Sequence, residues 1–200
     1  LYIGMLTFGI YQALPSTPES ATLSAFAWPS IIAMAGCGFW IAAAALNAKW
    51  ATVAIIATSA FALVFAMLRA PRHRSSAQFL CIVLPMSLLA GWLTIATAVN
   101  MLTVLTMVGV ITPEGATQSA LIGIAIATIF AAVVALRTGN AAYLLPIIWG
   151  LAGAYAIESN RNTDVANAVT AALALLALLA VGIILQRLSA ARKEPAIAAE

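Results

Sequence analysis

Apolar residues form long continuous runs along the chain, and only short polar stretches separate these runs. The runs are rich in alanine, leucine and isoleucine and do not alternate with period two, which excludes the strands of a membrane barrel. A helix needs about 20 such residues to cross a bilayer. We therefore predict an all-α, polytopic transmembrane helix bundle. The seven predicted spans cover approximately residues 1–14, 25–46, 51–68, 77–108, 117–136, 141–157 and 165–185.

Three positions qualify this pattern. The first run already begins at Leu1, without a methionine, so we expect that it is truncated and that the natural N-terminus lies upstream. Pro29 stands near the predicted start of the second span, where a first helical turn tolerates proline. Pro85 lies inside the fourth span and marks a position for a kink.

The composition places the chain in a membrane. Hydrophobic residues make up 64% of the sequence and charged residues only 8%, whereas soluble domains carry about 25% charged residues. A water-soluble fold of this length could not cover its surface with so few charges. We therefore expect an integral membrane protein.

The basic residues predict the orientation of the spans. When the loops are assigned alternately to the two sides, one side receives only Lys49 and Arg161. Cytoplasmic loops carry an excess of lysine and arginine, so we predict that the opposite side, with the C-terminus, is cytoplasmic. That side receives Arg69, Arg72, Arg74, Arg137, Arg187, Arg192 and Lys193.

The sequence contains few residues that could catalyse a reaction or bind a metal. The single histidine, His73, lies in the basic loop, so no predicted span offers a histidine ligand to a haem or a chlorophyll. No cysteine, histidine and carboxylate cluster suggests a metal site, and no charged residue stands at the middle of a span, where pumps place one. We predict a protein that is not an enzyme, has no catalytic or metal-binding residues and does not bind nucleic acid.

The basic loop and the tryptophans each have two interpretations. Arg69, Arg72 and Arg74 set the topology, or they also bind anionic lipid headgroups or an acidic partner. Tryptophans at helix ends are interfacial anchors, but three lie deeper in the predicted spans. These either pack in the core or line a ligand pocket, and they are Trp40, Trp92 and Trp149.

The segment "GWLTIATAVN" places an asparagine inside an apolar span. Thr94 and Thr97 can donate their hydroxyls to carbonyls of the preceding turn. Asn100 cannot be satisfied in that way, because its amide has two N–H donors and an acceptor. We expect it to face a neighbouring helix or a polar group of a ligand.

The segment "LPMSLLAGWLTIATAVN" resembles the last helix of the TspO/MBR family of translocator and tryptophan-rich sensory proteins, which carries a proline, a tryptophan, Ala-Thr and an asparagine. "FWIAAAALNAKWATVAIIATSAFALVFAML" is similar in layout to the two preceding family helices, with Trp40 on a characteristic tryptophan. Three positions before that tryptophan the family usually has an asparagine, whereas this chain has Cys37. "LYIGMLTFGIYQALPS" looks like the second helix of the family. "RTGNAAYLLPIIWGLAGAYA" resembles an extension of longer bacterial relatives. We accordingly divide the chain into a TspO-like region, 1–109, three additional helices, 110–186, and a polar cytoplasmic tail, 187–200.

The resemblance implies a protein of the bacterial inner membrane that binds a flat hydrophobic ligand between helices and has a sensory or regulatory role. The ligand would be a tetrapyrrole such as a porphyrin, or a sterol-like lipid. A pigment such as a carotenoid is a further candidate, because it needs no histidine ligand but only apolar grooves and an aromatic face. The predicted ligand-binding residues are Trp40, Trp92, Thr97, Asn100 and Trp149.

Two other functions stay open at this point. An accessory subunit of a photosynthetic or respiratory membrane complex would also have small-residue surfaces and no charged chemistry within its spans. A small-solute transporter would need an internal repeat or discontinuous helices, and the two halves of the chain show no convincing repeat. We expect membrane lipids as partners, together with either a homo-oligomer or a larger complex.

Overall fold

All seven predicted spans are helices in the computed structural model, which describes residues 1–15, 19–71 and 75–197, with side chains up to residue 190. Helices α2 to α7 are long and apolar enough to cross a membrane, whereas α1 has 12 residues. The predicted all-α, polytopic fold is confirmed. In chain order the helices are α1 Tyr2–Ala13, α2 Ala21–Ala45, α3 Lys49–Arg69, α4 Ser76–Met107, α5 Ala116–Thr138, α6 Ala141–Glu158 and α7 Thr163–Ile197.

Helix α2 begins earlier than the hydrophobic pattern predicts. The Ser20 hydroxyl accepts a hydrogen bond from the backbone N–H of Leu23, at 3.1 Å, and so caps the helix four residues before the predicted start. Pro29 consequently lies well inside the helix. The prediction that it stands near the first turn is wrong. Because proline has no N–H, the carbonyl of Ala25 lacks its usual helical donor.

Helix α7 continues beyond the predicted span. Its backbone remains helical as far as Ile197, although the apolar pattern ends near residue 185. The additional residues are mainly alanine, leucine, arginine, lysine and glutamate, which are strong helix formers. The predicted polar tail is therefore an extension of the helix throughout its described part, residues 187–197.

Helix α4 contains an irregular turn directly before Pro85. Residues Phe79–Val83 form a π-helical turn, in which the N–H of Leu84 donates to the carbonyl of Phe79. Such turns are a recognised way to accommodate an interruption of the helical hydrogen-bond pattern. The irregularity that the sequence predicts near Pro85 is thus a widened turn.

Helices α3 and α4 form the centre of the bundle. In their most apolar windows, 56% and 61% of the residues are buried, against 22–28% in the other spanning helices. The start of α6 is pressed against α4, because a side-chain carbon added at Gly91 would collide with the carbonyl oxygen of Tyr143. The Tyr143 hydroxyl then donates to the Thr94 hydroxyl at 3.0 Å. These contacts set the position of α6 relative to α4.

Candidate ligand-binding site

A cavity of about 650 Å³ lies between α2, α3, α4 and α6. Its volume is within the range of about 300–1,000 Å³ that is usual for small-molecule sites. Among the described residues, the wall is mostly apolar and contains no acidic or basic side chain. The described residues that line it are Tyr2, Gly36, Cys37, Trp40, Ile41, Ile56, Ser59, Trp92, Leu93, Ile95, Ala96, Val99, Asn100, Thr103, Trp149, Gly150, Ala152 and Gly153.

Three tryptophans from three different helices line this cavity. Trp40 comes from α2, Trp92 from α4 and Trp149 from α6. The rings of Trp92 and Trp149 are 5.6 Å apart between centroids and inclined at 42°, a separation typical of interacting aromatic pairs. Trp149 is 68% exposed, so it lies at the edge of the cavity, whereas Trp40 and Trp92 are partly buried.

Glycines allow the helices that form the wall to approach one another. Gly36 of α2 packs so closely on Ser59 of α3 that an added side-chain carbon would collide with the Ser59 hydroxyl. A side-chain carbon at Gly150 would lie only 3.1 Å from Cγ1 of Ile95 on α4. The shape of the cavity therefore depends on these small residues as well as on the tryptophans.

The Asn100 amide has a hydrogen-bond partner on a neighbouring helix. Its Nδ2 donates to the Thr52 hydroxyl of α3 at 3.0 Å, and Thr52 in turn donates to the carbonyl of Lys49 at 2.6 Å. Asn100 thus joins α4 to α3 while it also lines the cavity. Thr97 does not line the cavity, and its hydroxyl donates to the carbonyl of Leu93 at 2.7 Å.

The structure thus brings Trp40, Trp92, Asn100 and Trp149 together and leaves Thr97 out. Of the basic loop, Arg69 is exposed and lies 4.2 Å above the Phe65 ring centroid. Arg72 and Arg74 lie outside the described residues. In the part of the chain that the structure describes, no cluster of three metal-ligating side chains is present.

A second, smaller cavity adjoins the first near the end of α2. It has a volume of about 140 Å³ and shares Trp40, Asn100 and Thr103 with the larger one. Its remaining wall is formed by Ala44, Asn47, Lys49, Thr52, Val104 and Met107. In the sequence, Lys49 contributes only to the topology signal, and the short connection "LNAKW" resembles an ordinary loop in which nothing distinguishes Asn47.

The fold and this cavity define a class: an α-helical integral membrane protein with an aromatic-lined cavity between its helices. The sequence profile of the TSPO-like protein family matches residues 1–185, and the chain therefore belongs to that family. The predicted relationship to TspO is confirmed. The match includes the helices after residue 109, and the proposed division of the chain at that point stays a prediction. No curated protein and no solved structure matches the chain.

Proposed function

We propose that this protein binds a flat hydrophobic ligand in the larger cavity and acts in a sensory or regulatory role, without catalysing a reaction. Tetrapyrroles, sterol-like lipids and carotenoid-type pigments are the candidate ligands. The observation that supports this best is the convergence of Trp40, Trp92 and Trp149 on one apolar cavity. Aromatic faces stack on a flat ligand, and the Asn100 amide supplies a polar group that can orient it.

The orientation in the membrane belongs to the same proposal. We place the C-terminus on the cytoplasmic side of a bacterial inner membrane, because seven of the nine basic residues fall on that side. In this orientation the smaller cavity lies near the outer end of α3, since Lys49 begins that helix.

The decisive experiment compares tryptophan variants in a binding titration. Protoporphyrin IX is added to the purified protein, and binding is followed from the porphyrin absorption spectrum. We expect Trp92→Ala to raise the Kd about tenfold, because an aromatic contact of about 1.4 kcal/mol is lost. Trp28→Ala is the matched control: Trp28 is 73% exposed on α2 and lines neither cavity.

An equal effect of the two substitutions would contradict the proposed site. If wild type bound neither the porphyrin nor a sterol or carotenoid and was found only within a larger membrane complex, the role of accessory subunit would replace the proposed function.

A further inference from the structure

An arginine at the predicted cytoplasmic end of the bundle reaches from one helix to the connection between two others. Arg187 lies near the end of the membrane-spanning part of α7, Thr163–Ala190. Its Nη2 would lie 3.9 Å from a side-chain carbon built on Gly139, in the connection between α5 and α6. Among the described residues, the guanidinium group makes neither an ion pair nor a hydrogen bond. Because this group is always charged and has only N–H donors, it needs an acceptor from elsewhere.

The neighbouring parts of the chain offer no counter-charge to Arg187. Neither α5 nor its connection to α6 contains an aspartate or a glutamate, and α7 has none between Asp164 and Glu194. Glu194 comes seven residues after Arg187, which is about 10 Å along a helix. The last carbonyls of α5 form the negative end of a helix dipole, but none of them accepts a hydrogen bond from Arg187. An anion from outside the chain would supply the missing charge.

The surroundings of Arg187 indicate what kind of anion fits. Arg137 is exposed in the last turn of α5, two residues before Gly139, and α5 packs against α7. One turn deeper in the membrane, Val133 precedes Arg137 on α5 and Ile184 precedes Arg187 on α7. These two side chains are 49% and 48% exposed, so acyl chains can cover them. Positive charge thus stands above an apolar surface, which suits a phospholipid better than a soluble anion.

We propose that the ends of α5 and α7 bind the phosphate group of an anionic phospholipid such as phosphatidylglycerol. The phosphate oxygens accept two parallel hydrogen bonds from Arg187, a geometry that the planar guanidinium favours. Arg137 adds a second positive charge, and the acyl chains lie against Val133 and Ile184. None of these residues lines either cavity, so the site is independent of the proposed function. The bound lipid stabilises the contact between α5 and α7, because it binds only the folded bundle.

The test is a lipid titration followed by native mass spectrometry. The purified protein in neutral detergent micelles is titrated with phosphatidylglycerol or with phosphatidylcholine, whose choline group cancels the charge of its phosphate. We expect wild type to bind phosphatidylglycerol about tenfold more tightly, the size of one hydrogen bond to a charged group. Arg187→Gln should remove this preference. Arg187→Lys should retain part of it, because lysine keeps the charge but not the paired donors.

Arg69→Gln is the control for a general attraction of anionic lipid to the basic end of the bundle. Arg69 is exposed at the end of α3, on the same predicted side of the membrane, and lies over the Phe65 ring. This variant should keep the preference for phosphatidylglycerol. Thermal unfolding gives a second measurement: phosphatidylglycerol should raise the Tm of wild type and of Arg69→Gln, but not that of Arg187→Gln.

An undiminished preference for phosphatidylglycerol in Arg187→Gln would overturn the site. Equal losses in Arg187→Gln and Arg69→Gln would also overturn it, since the attraction would then be spread over all the basic residues of this end. Displacement of the lipid by an equimolar amount of inorganic phosphate would show that the occupant is a soluble anion and not a phospholipid.

Discussion

Hydroxyl and amide side chains in this bundle satisfy their hydrogen bonds in different ways. Most threonine hydroxyls of the spans donate to a carbonyl four residues earlier in their own helix, as Thr94 does to Ala90. Such a bond is available anywhere in a helix. An amide has too many polar atoms for this solution and joins distant parts of the chain. Among the described residues, three asparagine amides donate to a hydroxyl far away in the chain: Asn100 to Thr52, Asn140 to Ser87 and Asn162 to Thr117.

Replacing Asn140 should reveal the strength of one such link. Asn140 is 3% exposed, donates to the Ser87 hydroxyl at 2.6 Å and accepts from the N–H of Ala142. Asn140→Ala leaves two buried polar groups without partners, so we expect the free energy of unfolding to fall by about 1–3 kcal/mol. Unfolding in detergent micelles measures it. Asn160→Ala, in the exposed turn after α6, should change it by less than about 0.5 kcal/mol.

Equal effects of the two asparagine substitutions would show that the bond to Ser87 contributes nothing specific.

At the scale of elements, the fit of α6 against α4 determines the geometry of the larger cavity. α4 carries Trp92 and α6 carries Trp149, so the 5.6 Å separation of these rings depends on how closely the two helices approach. Gly91 permits this approach at the Tyr143 carbonyl. The bond from Tyr143 to Thr94 holds the helices together within one turn of that contact.

Enlarging Gly91 should therefore damage both stability and binding. In Gly91→Ala the new methyl group meets the Tyr143 carbonyl, and α6 must move away. We expect a loss of about 1–3 kcal/mol from such overpacking, with a higher Kd for protoporphyrin IX. The checks are thermal unfolding in micelles and the porphyrin titration.

Gly182→Ala is the matched control, because nothing lies within 4 Å of the added carbon on α7. It should be neutral or slightly stabilising, since alanine favours helix more than glycine does. A Gly91→Ala protein as stable as this control would contradict the close packing of α4 and α6.

For the whole molecule, the distribution of charge predicts how the bundle sits in the membrane. Alkaline phosphatase fused after residue 200 should be inactive, because it stays in the cytoplasm, and green fluorescent protein at the same site should fluoresce. Fusions after Gly115, in the connection between α4 and α5, should give the opposite result. The reverse pattern at both sites would invert the proposed topology.

The sequence by itself determined the membrane class, the family and the approximate extent of the helices. Long apolar runs and scarce charges are local properties of the chain, and each helix satisfies its own backbone hydrogen bonds. The sequence also indicated Trp40, Trp92, Asn100 and Trp149, since large aromatic rings and an amide stand out against alanine and leucine. It missed the start of α2 and the length of α7, where capping and helix propensity outweigh hydropathy.

Only the tertiary structure decided which side chains share a cavity. In a lipid-exposed bundle both the buried and the outer faces of a helix are apolar, so no amphipathic pattern identifies the face that packs inward. For that reason the sequence could not show that Thr97, which was predicted at the site, lies outside the cavity wall. Lys49 and Asn47 line the smaller cavity through the packing of α2 and α3 against the end of α4. These contacts connect residues far apart in the chain, and local sequence does not encode them.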